Sequence, residues 1–271
     1  MSILSTELTD GDFIKISRLI YRLCGINLKE DKKALVRARL VKRLRVLKMS
    51  TIKQYMRYLA SENGLKEMGS LIDVMTTNKT SFFREVEHFN FLGSRVLPEL
   101  NSPRLRFWTA ACSSGEEPFS LSIMLREKIP DIKSRDVKIL ATDISMQMLE
   151  KAYKALYSKE SMTDMPLQYQ AKYFTKEFNG RDIIFRVSDN VRTMVKLAWL
   201  NLVGAWPMKG TFNVIFCRNV MIYFEKQTQE RLVNRFWKIL EPGGYLFVGH
   251  SEGLSSIPHR FQYIQPAIYR K

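Results

Sequence analysis

The sequence has few of the residues from which disulfide frameworks and metal centres are built. Its 271 residues include three cysteines, Cys24, Cys112 and Cys217, and three histidines. The cysteines are far apart and odd in number, with no CxxC pair and no histidine cluster. This pattern argues against a disulfide-rich scaffold and against the usual zinc spacings. It is typical of a protein of the reducing cytoplasm, and we expect no bound metal.

Long apolar runs and a basic leader are also absent. No window approaches about 20 consecutive apolar residues, which is the length that a helix needs to cross a bilayer. The first residues, MSILSTELTDGDF, carry acids where a secretory leader would carry bases. We therefore expect a soluble, cytoplasmic chain with no membrane insertion.

Acidic residues are in deficit. Against 43 Lys and Arg the chain has 27 Asp and Glu, so its formal net charge is +16. Such a charge predicts an acidic partner, which can be nucleic acid, an anionic lipid surface or an acidic protein surface. The charge by itself does not choose among these three.

Residues 1–75 are predicted to be helical, because apolar residues recur there at three-to-four spacing. One helix contains Phe13, Ile16, Ile20 and Leu23 and is ended by Gly25. A second is predicted over 32–48, KKALVRARLVKRLRVLK, with eight basic residues and no acid. Its narrow apolar stripe is expected to pack inward and to leave the basic faces outside. Further helices are predicted near 51–60 and 66–75.

From about Leu105 short apolar runs alternate with helical patterns, which predicts a mostly parallel sheet covered by helices on both faces. The excursion over about 157–192, with a turn at Asn179-Gly180, is predicted to be antiparallel and inserted. The segment Phe261–Tyr269 alternates like one added edge strand. The predicted strands are 105–109, 137–142, 195–200, 212–217 and 245–248, and the predicted helices are 117–128, 145–155 and 226–240.

The stretch RFWTAACSSGEEPFSLS, residues 106–122, joins the first strand of this sheet to its first helix. It has one glycine where a dinucleotide-binding loop has three, and Glu116 and Glu117 stand where phosphate would bind. A ligand with a nucleoside, positive groups and no phosphate fits this loop better, and S-adenosylmethionine has that chemistry. In the simpler interpretation the two acids only stabilise the helix N-terminus, by about 0.3–1 kcal/mol each.

Three further stretches carry polar side chains at positions where such a sheet binds a ligand. Asp143 ends the second strand and can accept hydrogen bonds from ribose hydroxyls, or else it caps the helix that begins near Ser145. After the strand 212–217, Asn219 can hold a ligand through its amide and Tyr223 can border a sulfonium. The segment TTNKTSFFRE, residues 76–85, surrounds an aromatic pair with donors, and it either covers a ligand or joins two domains.

These stretches, TTNKTSFFRE, WTAACSSGEEPFSLS, ILATDIS, FCRNVMIYF and LEPGGYLFVGHSE, closely resemble the chemotaxis receptor glutamate methyltransferases, the CheR family. The resemblance covers nearly the whole chain. It implies an α/β fold in which an N-terminal helical domain (1–75) is joined by a cofactor-covering linker (76–104) to a class I, Rossmann-like S-adenosylmethionine-dependent domain (105–271). The antiparallel insert then corresponds to a small β subdomain.

The resemblance also implies an activity, transfer of a methyl group from S-adenosylmethionine to glutamates in the cytoplasmic helical bundle of chemoreceptors, with S-adenosylhomocysteine as the product. Arg84 and Tyr223 are expected nearest the reacting groups. Arg37, Arg39 and Arg43 on the basic helix are expected to attract the acidic receptor. Some family members also bind a receptor C-terminal tail peptide at the β subdomain, and the chain is expected to be a monomer. The expected cofactor contacts are Asn78, Thr80, Arg84, Glu117, Asp143, Asn201, Leu202, Arg218 and Asn219.

Two other functions are weighed against this one. A nucleic-acid methyltransferase would suit the charge of +16, but the loop at Asn219 reads Asn-Val-Met-Ile and lacks the Asn-Pro-Pro-aromatic pattern of base methylation. No RNA-binding module is evident. A cofactor-binding regulator without catalysis is the third possibility, and the complete set of motifs argues against it.

Overall fold

The helical part of the chain follows the apolar spacing of its sequence. The structure, a computed structural model, describes residues 7–180 and 182–271, so the first six residues of the expected helical domain lie outside it. Thr9 begins the first helix by accepting a hydrogen bond from the Asp12 amide, and Gly25 ends it at a φ of 76°. The helices here are α1 (Asp10–Cys24), α2 (Lys33–Val46), α3 (Ile52–Leu59) and α4 (Gly64–Met75).

The basic helix differs from its prediction in length and in the position of one cation. It begins after a short 3-10 turn, Glu30–Lys32, so the regular helix is shorter than the predicted span. Arg43 does not stay outside. Its guanidinium binds both carboxylate oxygens of Glu67 on α4 at 2.7 Å, and the Tyr55 hydroxyl donates to the same carboxylate at 2.8 Å. The expectation that both basic faces remain outside is therefore wrong at Arg43.

The rest of the chain confirms the predicted α/β class, with a mostly parallel sheet and a small antiparallel one. In the described residues the larger sheet has the strand order β6-β2-β1-β7-β8-β10-β9 and the smaller has β3-β5-β4. The strands are β1 (Arg104–Ala110), β2 (Asp136–Asp143), β3 (Leu156–Ser158), β4 (Phe174–Asn179), β5 (Asp182–Val187), β6 (Val195–Trp199), β7 (Phe212–Cys217), β8 (Leu240–Val248), β9 (Gln262–Gln265) and β10 (Ile268–Arg270).

The larger sheet reverses its direction of growth at β1. The chain proceeds from β1 to β2 and β6 on one side, and then returns to place β7 and β8 on the other, all in parallel. The connections on the two sides of such a reversal separate at the carboxyl ends of the strands and leave a crevice there. After α4, the α-helices of the described residues are α5 (Val86–Phe91), α6 (Leu97–Glu99), α7 (Glu116–Lys128), α8 (Met146–Lys154), α9 (Leu167–Tyr173), α10 (Asp189–Arg192) and α11 (Lys226–Ile239).

Two elements near the C-terminus differ from the sequence prediction. The predicted single edge strand over 261–269 is a hairpin, since β9 and β10 pair antiparallel across Pro266 and Ala267. Proline has no N–H to continue a ladder, and Ala267 has a φ of 64° that turns the chain. Strand β8 begins five residues before the predicted start, because its pairing with β7 contains a bulge.

A shared hydrophobic core fixes the helical part against the sheet. Ile20 of α1 and Leu40 of α2 belong to the same buried cluster as Trp108 of β1 and Ile215 of β7, and all four side chains are fully buried. The helical part is thereby held in a defined position beside the carboxyl ends of the strands. No helix within the described ranges is long and apolar enough to span a bilayer.

The contact between Arg43 and Glu67 gives a testable prediction about stability. Replacing Arg43 by Ala leaves the carboxylate of Glu67, whose side chain is 5% exposed, without its cation. Removing one partner of a buried pair costs about 3–5 kcal/mol. We expect Arg43→Ala to lower the free energy of unfolding by this amount in urea denaturation. Arg45→Ala, at an exposed position of the same helix, is the control, and an equal loss in both variants would contradict the assignment.

Candidate active site

A cavity of about 1000 Å³, counted to its open mouth, lies at the carboxyl ends of the parallel strands. Its wall combines the loops after β1, β2, β6 and β7 with the segment before α5 and with the end of α1. The structure brings together at this cavity every residue expected to bind the cofactor or to lie near the reaction, namely Asn78, Thr80, Arg84, Glu117, Asp143, Asn201, Leu202, Arg218, Asn219 and Tyr223.

The loop after β1 brings its backbone close to the cavity. Ala111 and Ser113 have φ values of 68° and 50°, which are uncommon for residues other than glycine, and both line the cavity. Gly115 has a φ of 99°, and a Cβ there would lie 2.9 Å from the Tyr157 hydroxyl and from the Ala152 Cβ. The glycine is thus required by conformation and by space, while the small residues before it leave room for a ligand.

Asp143 is held in place by one backbone amide from the loop after β1 and one from the residues that follow its own strand, β2. Its two carboxylate oxygens accept hydrogen bonds from the amides of Ser113 at 2.7 Å and Ser145 at 2.8 Å. The cap of α8 is Ser145, whose hydroxyl accepts from the Met148 amide, so the alternative role of Asp143 as the cap is wrong. Burial raises the pKa of Asp143, although the amide hydrogen bonds oppose this shift. The carboxylate keeps lone pairs that can accept from ribose hydroxyls.

The two acids at the start of α7 have different surroundings. Glu116 is buried and accepts a hydrogen bond from the Ser114 hydroxyl at 2.7 Å, and it does not line the cavity. Glu117 lines the cavity, and burial raises its pKa to about 7, although Arg218 lowers it. A positive charge beside a carboxylate favours its ionised form. A cationic ligand in the cavity would therefore offset the effect of burial, and Glu117 is suited to bind an ammonium group.

Arg218 connects three parts of the site. Its guanidinium lies 3.0 Å from Glu117 and 3.1 Å from Glu85, and it also donates to the backbone carbonyl of Arg84. The side chain is 1% exposed and lies over the ring of Phe89 at 5.8 Å. Arg218 therefore holds the segment before α5 and the start of α7 at the end of β7.

The segment 76–85 both lines the cavity and joins the domains. Phe82 is fully buried against Tyr157 and Phe174 of the small sheet region, which anchors the segment. Asn78 accepts a hydrogen bond from the Ser113 hydroxyl on its carbonyl, at 3.0 Å. The sequence alone left two alternatives for this segment. The structure places it both in the cavity wall and against the small sheet region, and the covering of a ligand stays a prediction.

The helical part completes one wall of the cavity. The Asn201 side-chain amide donates to the carbonyl of Leu23 at 2.7 Å, and the Asn27 amide donates to the carbonyl of Tyr223 at 2.9 Å. Cys24 and Ile26 line the cavity beside these contacts. The Asn201 side-chain amide is thus bound to α1, and no sequence pattern indicated this contact because its partner is a backbone carbonyl 178 residues away.

The three cations expected to meet the receptor have three different environments. Arg37 is exposed on α2, whereas Arg43 is paired with Glu67. Arg39 lies at the edge of the cavity. Its guanidinium donates to the carbonyl of Met75 at 2.6 Å and to the Thr77 hydroxyl at 2.9 Å, and burial lowers its pKa, although the nearby Tyr223 hydroxyl opposes this shift.

A histidine cluster forms in space although none exists in the sequence. Glu85, His88 and His250 are the group in the described part of the chain that could hold a metal ion, with ligand atoms within 4.8 Å of one another. His88 is 1% exposed, and burial lowers its pKa to about 3. Glu85 already has Arg218 as its cationic partner within the protein, at 3.1 Å. We therefore assign this carboxylate to Arg218.

Sequence reasoning missed two carboxylates that organise the site. Glu85 binds Arg218 and accepts a hydrogen bond from the Asn219 side chain at 3.2 Å. Glu252, on the loop after β8, accepts from the Asn219 amide at 2.6 Å. Both residues fall inside stretches that carried the family resemblance, and that position was the available signal for them.

Two family models match the chain. Residues 78–269 match the model described as "CheR methyltransferase, SAM binding domain", and residues 11–76 match "CheR methyltransferase, all-alpha domain". The "Chemotaxis protein methyltransferase" of Borreliella burgdorferi is 36% identical and covers 99% of this chain and 96% of that protein. The protein of the same name in Escherichia coli is 37% identical, covering 97% of this chain and 91% of its own. A "Probable chemotaxis protein methyltransferase" of Rhizobium etli is 39% identical, covering 93% and 96%.

The pKa of Glu117 predicts a pH dependence for cofactor binding. Below pH 7 the carboxyl group is mostly protonated, so a ligand ammonium must displace a proton in order to bind. We expect the affinity for S-adenosylhomocysteine, which retains the ammonium, to rise as pH rises through 7, by up to about tenfold per unit on the acidic side. Calorimetry between pH 6 and 8 measures this slope.

Glu117→Gln is the matched variant for this measurement. It keeps the shape of the side chain and removes its titration, so the variant should bind more weakly at pH 8 and show a flat profile. An unchanged slope in the variant would assign the proton to another group. In the unliganded protein the sign is opposite: the folded pKa exceeds the ordinary value of 4.5, so the contribution of Glu117 to stability falls as pH rises from 4.5 to about 7 and is constant above that range.

Proposed function

This chain belongs to the CheR methyltransferase family, and we propose that it methylates glutamate side chains of chemoreceptors, forming methyl esters for sensory adaptation in chemotaxis. The observation that carries the proposal is the cavity at the carboxyl ends of β1, β2, β6 and β7, with Glu117, whose side chain is 14% exposed, at the start of α7. Small residues, an acid for a ribose and an acid for an ammonium fit S-adenosylmethionine and do not fit a phosphate.

The residues that line the cavity support a reaction without a general base. In the described chain no histidine lines it, and burial keeps its two thiols protonated by raising the pKa of Cys24 to about 11 and that of Cys112 well above its ordinary value. A glutamate substrate has an ordinary pKa of about 4.3, so it is already a nucleophilic carboxylate at neutral pH. The acceptor needs no proton removed before the transfer.

The protein contributes position to this reaction. S-adenosylmethionine supplies the methyl group, which its positive sulfur activates for attack by a carboxylate oxygen; the products are the methyl ester and S-adenosylhomocysteine. Correct alignment of two reactants can lower a barrier by roughly 7–11 kcal/mol. Glu117 and Asp143 orient the cofactor in this proposal, and the cavity wall excludes water from the reacting carboxylate.

Arg84 and Tyr223 are the residues that we place beside the reacting groups. One guanidinium nitrogen of Arg84 donates to the Lys79 carbonyl at 2.9 Å, which fixes the side chain at the cavity wall. The guanidinium has further N–H groups that can pair with a substrate carboxylate. Tyr223 lines the cavity, and Arg39 of the basic helix lies near it.

The surface next to this part of the wall suits an acidic helical partner. Helix α2 has no acid along its length, and its exposed cations include Arg37, Lys42 and Arg45. Opposite charges on two approaching surfaces accelerate association and fix its orientation. We assign receptor attraction to this exposed face, and Arg39 to the entrance of the cavity. Arg43 is left out because it stabilises the helical part internally.

The small sheet offers a place for a receptor tail peptide. In the described residues β4 pairs with β5 on one side and has an open edge on the other. An extended peptide can add to such an edge through main-chain hydrogen bonds. Phe178 on this strand is 76% exposed and can contact the side chains of the peptide.

The product distinguishes this function from the alternatives. The protein is incubated with radiolabelled S-adenosylmethionine and membranes that contain chemoreceptors, and the labelled product is then treated with mild base. We expect base to release the label as volatile methanol, because carboxyl methyl esters hydrolyse under these conditions. Base-stable label, or label in nucleic acid, would contradict the proposal.

Arg84→Lys should lower turnover by about 10- to 100-fold, since lysine cannot form the two parallel hydrogen bonds of a guanidinium.

Arg104→Lys is the control for this variant. Arg104 is exposed at the start of β1, at the opposite end of that strand from the cavity, and the same exchange there should leave turnover unchanged. Full turnover in Arg84→Lys would remove Arg84 from the reacting groups.

The role of α2 predicts a salt-dependent defect. Arg37→Glu reverses a charge on the exposed face, so kcat/KM for receptor membranes should fall several-fold at low ionic strength and less at high salt. Lys238→Glu makes the same change of charge at an exposed position on α11. Equal losses in the two variants would show an effect of net charge and would contradict a specific role of α2.

A further inference from the structure

A carboxylate with no assigned role lies behind the cavity wall. Glu252 is 6% exposed and does not line the cavity. One of its oxygens accepts hydrogen bonds from the amides of Asn219 at 2.6 Å and Gly249 at 2.7 Å, and the other accepts from the Ile222 amide at 3.1 Å. A single side chain therefore binds the loop after β7 to the loop after β8.

The loop after β7 needs such support. Asn219 has a φ of 59°, a conformation that is uncommon for residues other than glycine. The 3-10 turn Met221–Tyr223 is a single turn, so the amide of Ile222 has no partner within the turn. Glu252 accepts hydrogen bonds from the backbone amides of Asn219, before the turn, and of Ile222, within it.

The close approach of the two loops depends on Gly249. A Cβ at this position would lie 2.6 Å from the Asn219 side-chain nitrogen and 2.6 Å from a carboxylate oxygen of Glu252. The loops are thus packed as tightly as their backbones allow. On its other side, the Asn219 side chain donates to Glu85 at 3.2 Å, so carboxylates from two distant segments hold this one residue.

The chemistry of the contact requires an ionised acid. Three donors face the two oxygens of Glu252, and a carboxylate is the side chain that offers acceptors on both. Burial raises the pKa of Glu252, while the backbone hydrogen bonds oppose the shift. A glutamine of the same shape would turn an NH2 group, which is a donor, toward one of the donating amides.

We propose that Glu252 is a positioning residue of the methyl-transfer site, which fixes the backbone of 219–223 and thereby aims Asn219 and Tyr223 at the cavity. This inference rests on the proposed function for the part played by Tyr223. Glu252 touches neither cofactor nor substrate in this assignment, and acts through the loop that it holds.

The first test is independent of any substrate. Glu252→Gln should keep the hydrogen bonds that one oxygen accepts from Asn219 and Gly249, and lose the one that the other accepts from Ile222. We expect hydrogen exchange, followed by mass spectrometry, to be at least about tenfold faster in the peptide that covers 218–224. Glu241→Gln, an equivalent exchange at the other end of β8, should leave this peptide unchanged. Unchanged protection in Glu252→Gln would overturn the inference.

The second test measures catalysis and binding separately. Glu252→Gln should lower kcat by about tenfold or more, while the dissociation constant of S-adenosylhomocysteine rises by a smaller factor through Asn219, because Glu117 and Asp143 are untouched. A loss of affinity with unchanged kcat would overturn the inference. If Glu252→Gln does not fold, Glu252→Asp keeps the charge but is one methylene shorter, and it should show the same changes to a smaller degree.

A double-mutant cycle with Tyr223→Leu, which removes the aromatic ring, separates positioning from general destabilisation. If Glu252 acts through Tyr223, its exchange for Gln should cost much less in the Tyr223→Leu background than in the wild type. Equal losses in both backgrounds would overturn the inference. If the wild type forms no base-labile ester on receptors, the proposed function fails by itself, and the exchange measurement still decides whether Glu252 holds the loop.

Discussion

The ion pairs of Arg218 are the interaction on which the site depends. A guanidinium that is almost fully buried lies between Glu85 and Glu117 and also binds the carbonyl of Arg84. A buried charge is tolerated only when it is paired and hydrogen-bonded, so each of the three segments is held by the requirement to satisfy the others. The end of β7, the start of α7 and the segment before α5 thus form one unit, and the cavity is the space that they enclose together with the helical part.

The site is built from acids where a phosphate-binding relative of this fold would use glycines and bases. Each carboxylate has its own partners: Glu117 has Arg218 and the cavity, Asp143 has two backbone amides, and Glu252 has three. In the function that we propose, the same group thus attracts a cation, orients a nucleoside or fixes a loop, according to what surrounds it. This use of acids suits a reaction in which the acceptor is already ionised and alignment is the main contribution of the protein.

Much of the fold was predictable because its signals are local. Apolar periodicity and capping residues such as Thr9 and Gly25 depend on neighbours within a few residues, and the helices and strands follow them closely. The site residues were predictable for a related reason. Parallel strands place their carboxyl ends at one edge of a sheet, so polar residues that follow successive strands converge even when they are far apart in the chain. The turn at Pro266 and Ala267 was missed because alternation was given more weight than the proline.

The sequence by itself determined the class of the fold, the loop suited to a cationic nucleoside and the family, since these depend on local patterns and on the order of motifs. Only the tertiary structure decided which charged and polar side chains are paired within the protein and which face the cavity or the solvent. Arg43 pairs with Glu67, Asn201 with a carbonyl of α1, and Glu252 with two loops, each across a long separation in the chain. A residue type states which bonds a side chain can form, but the partner depends on which segments the shared core brings into contact.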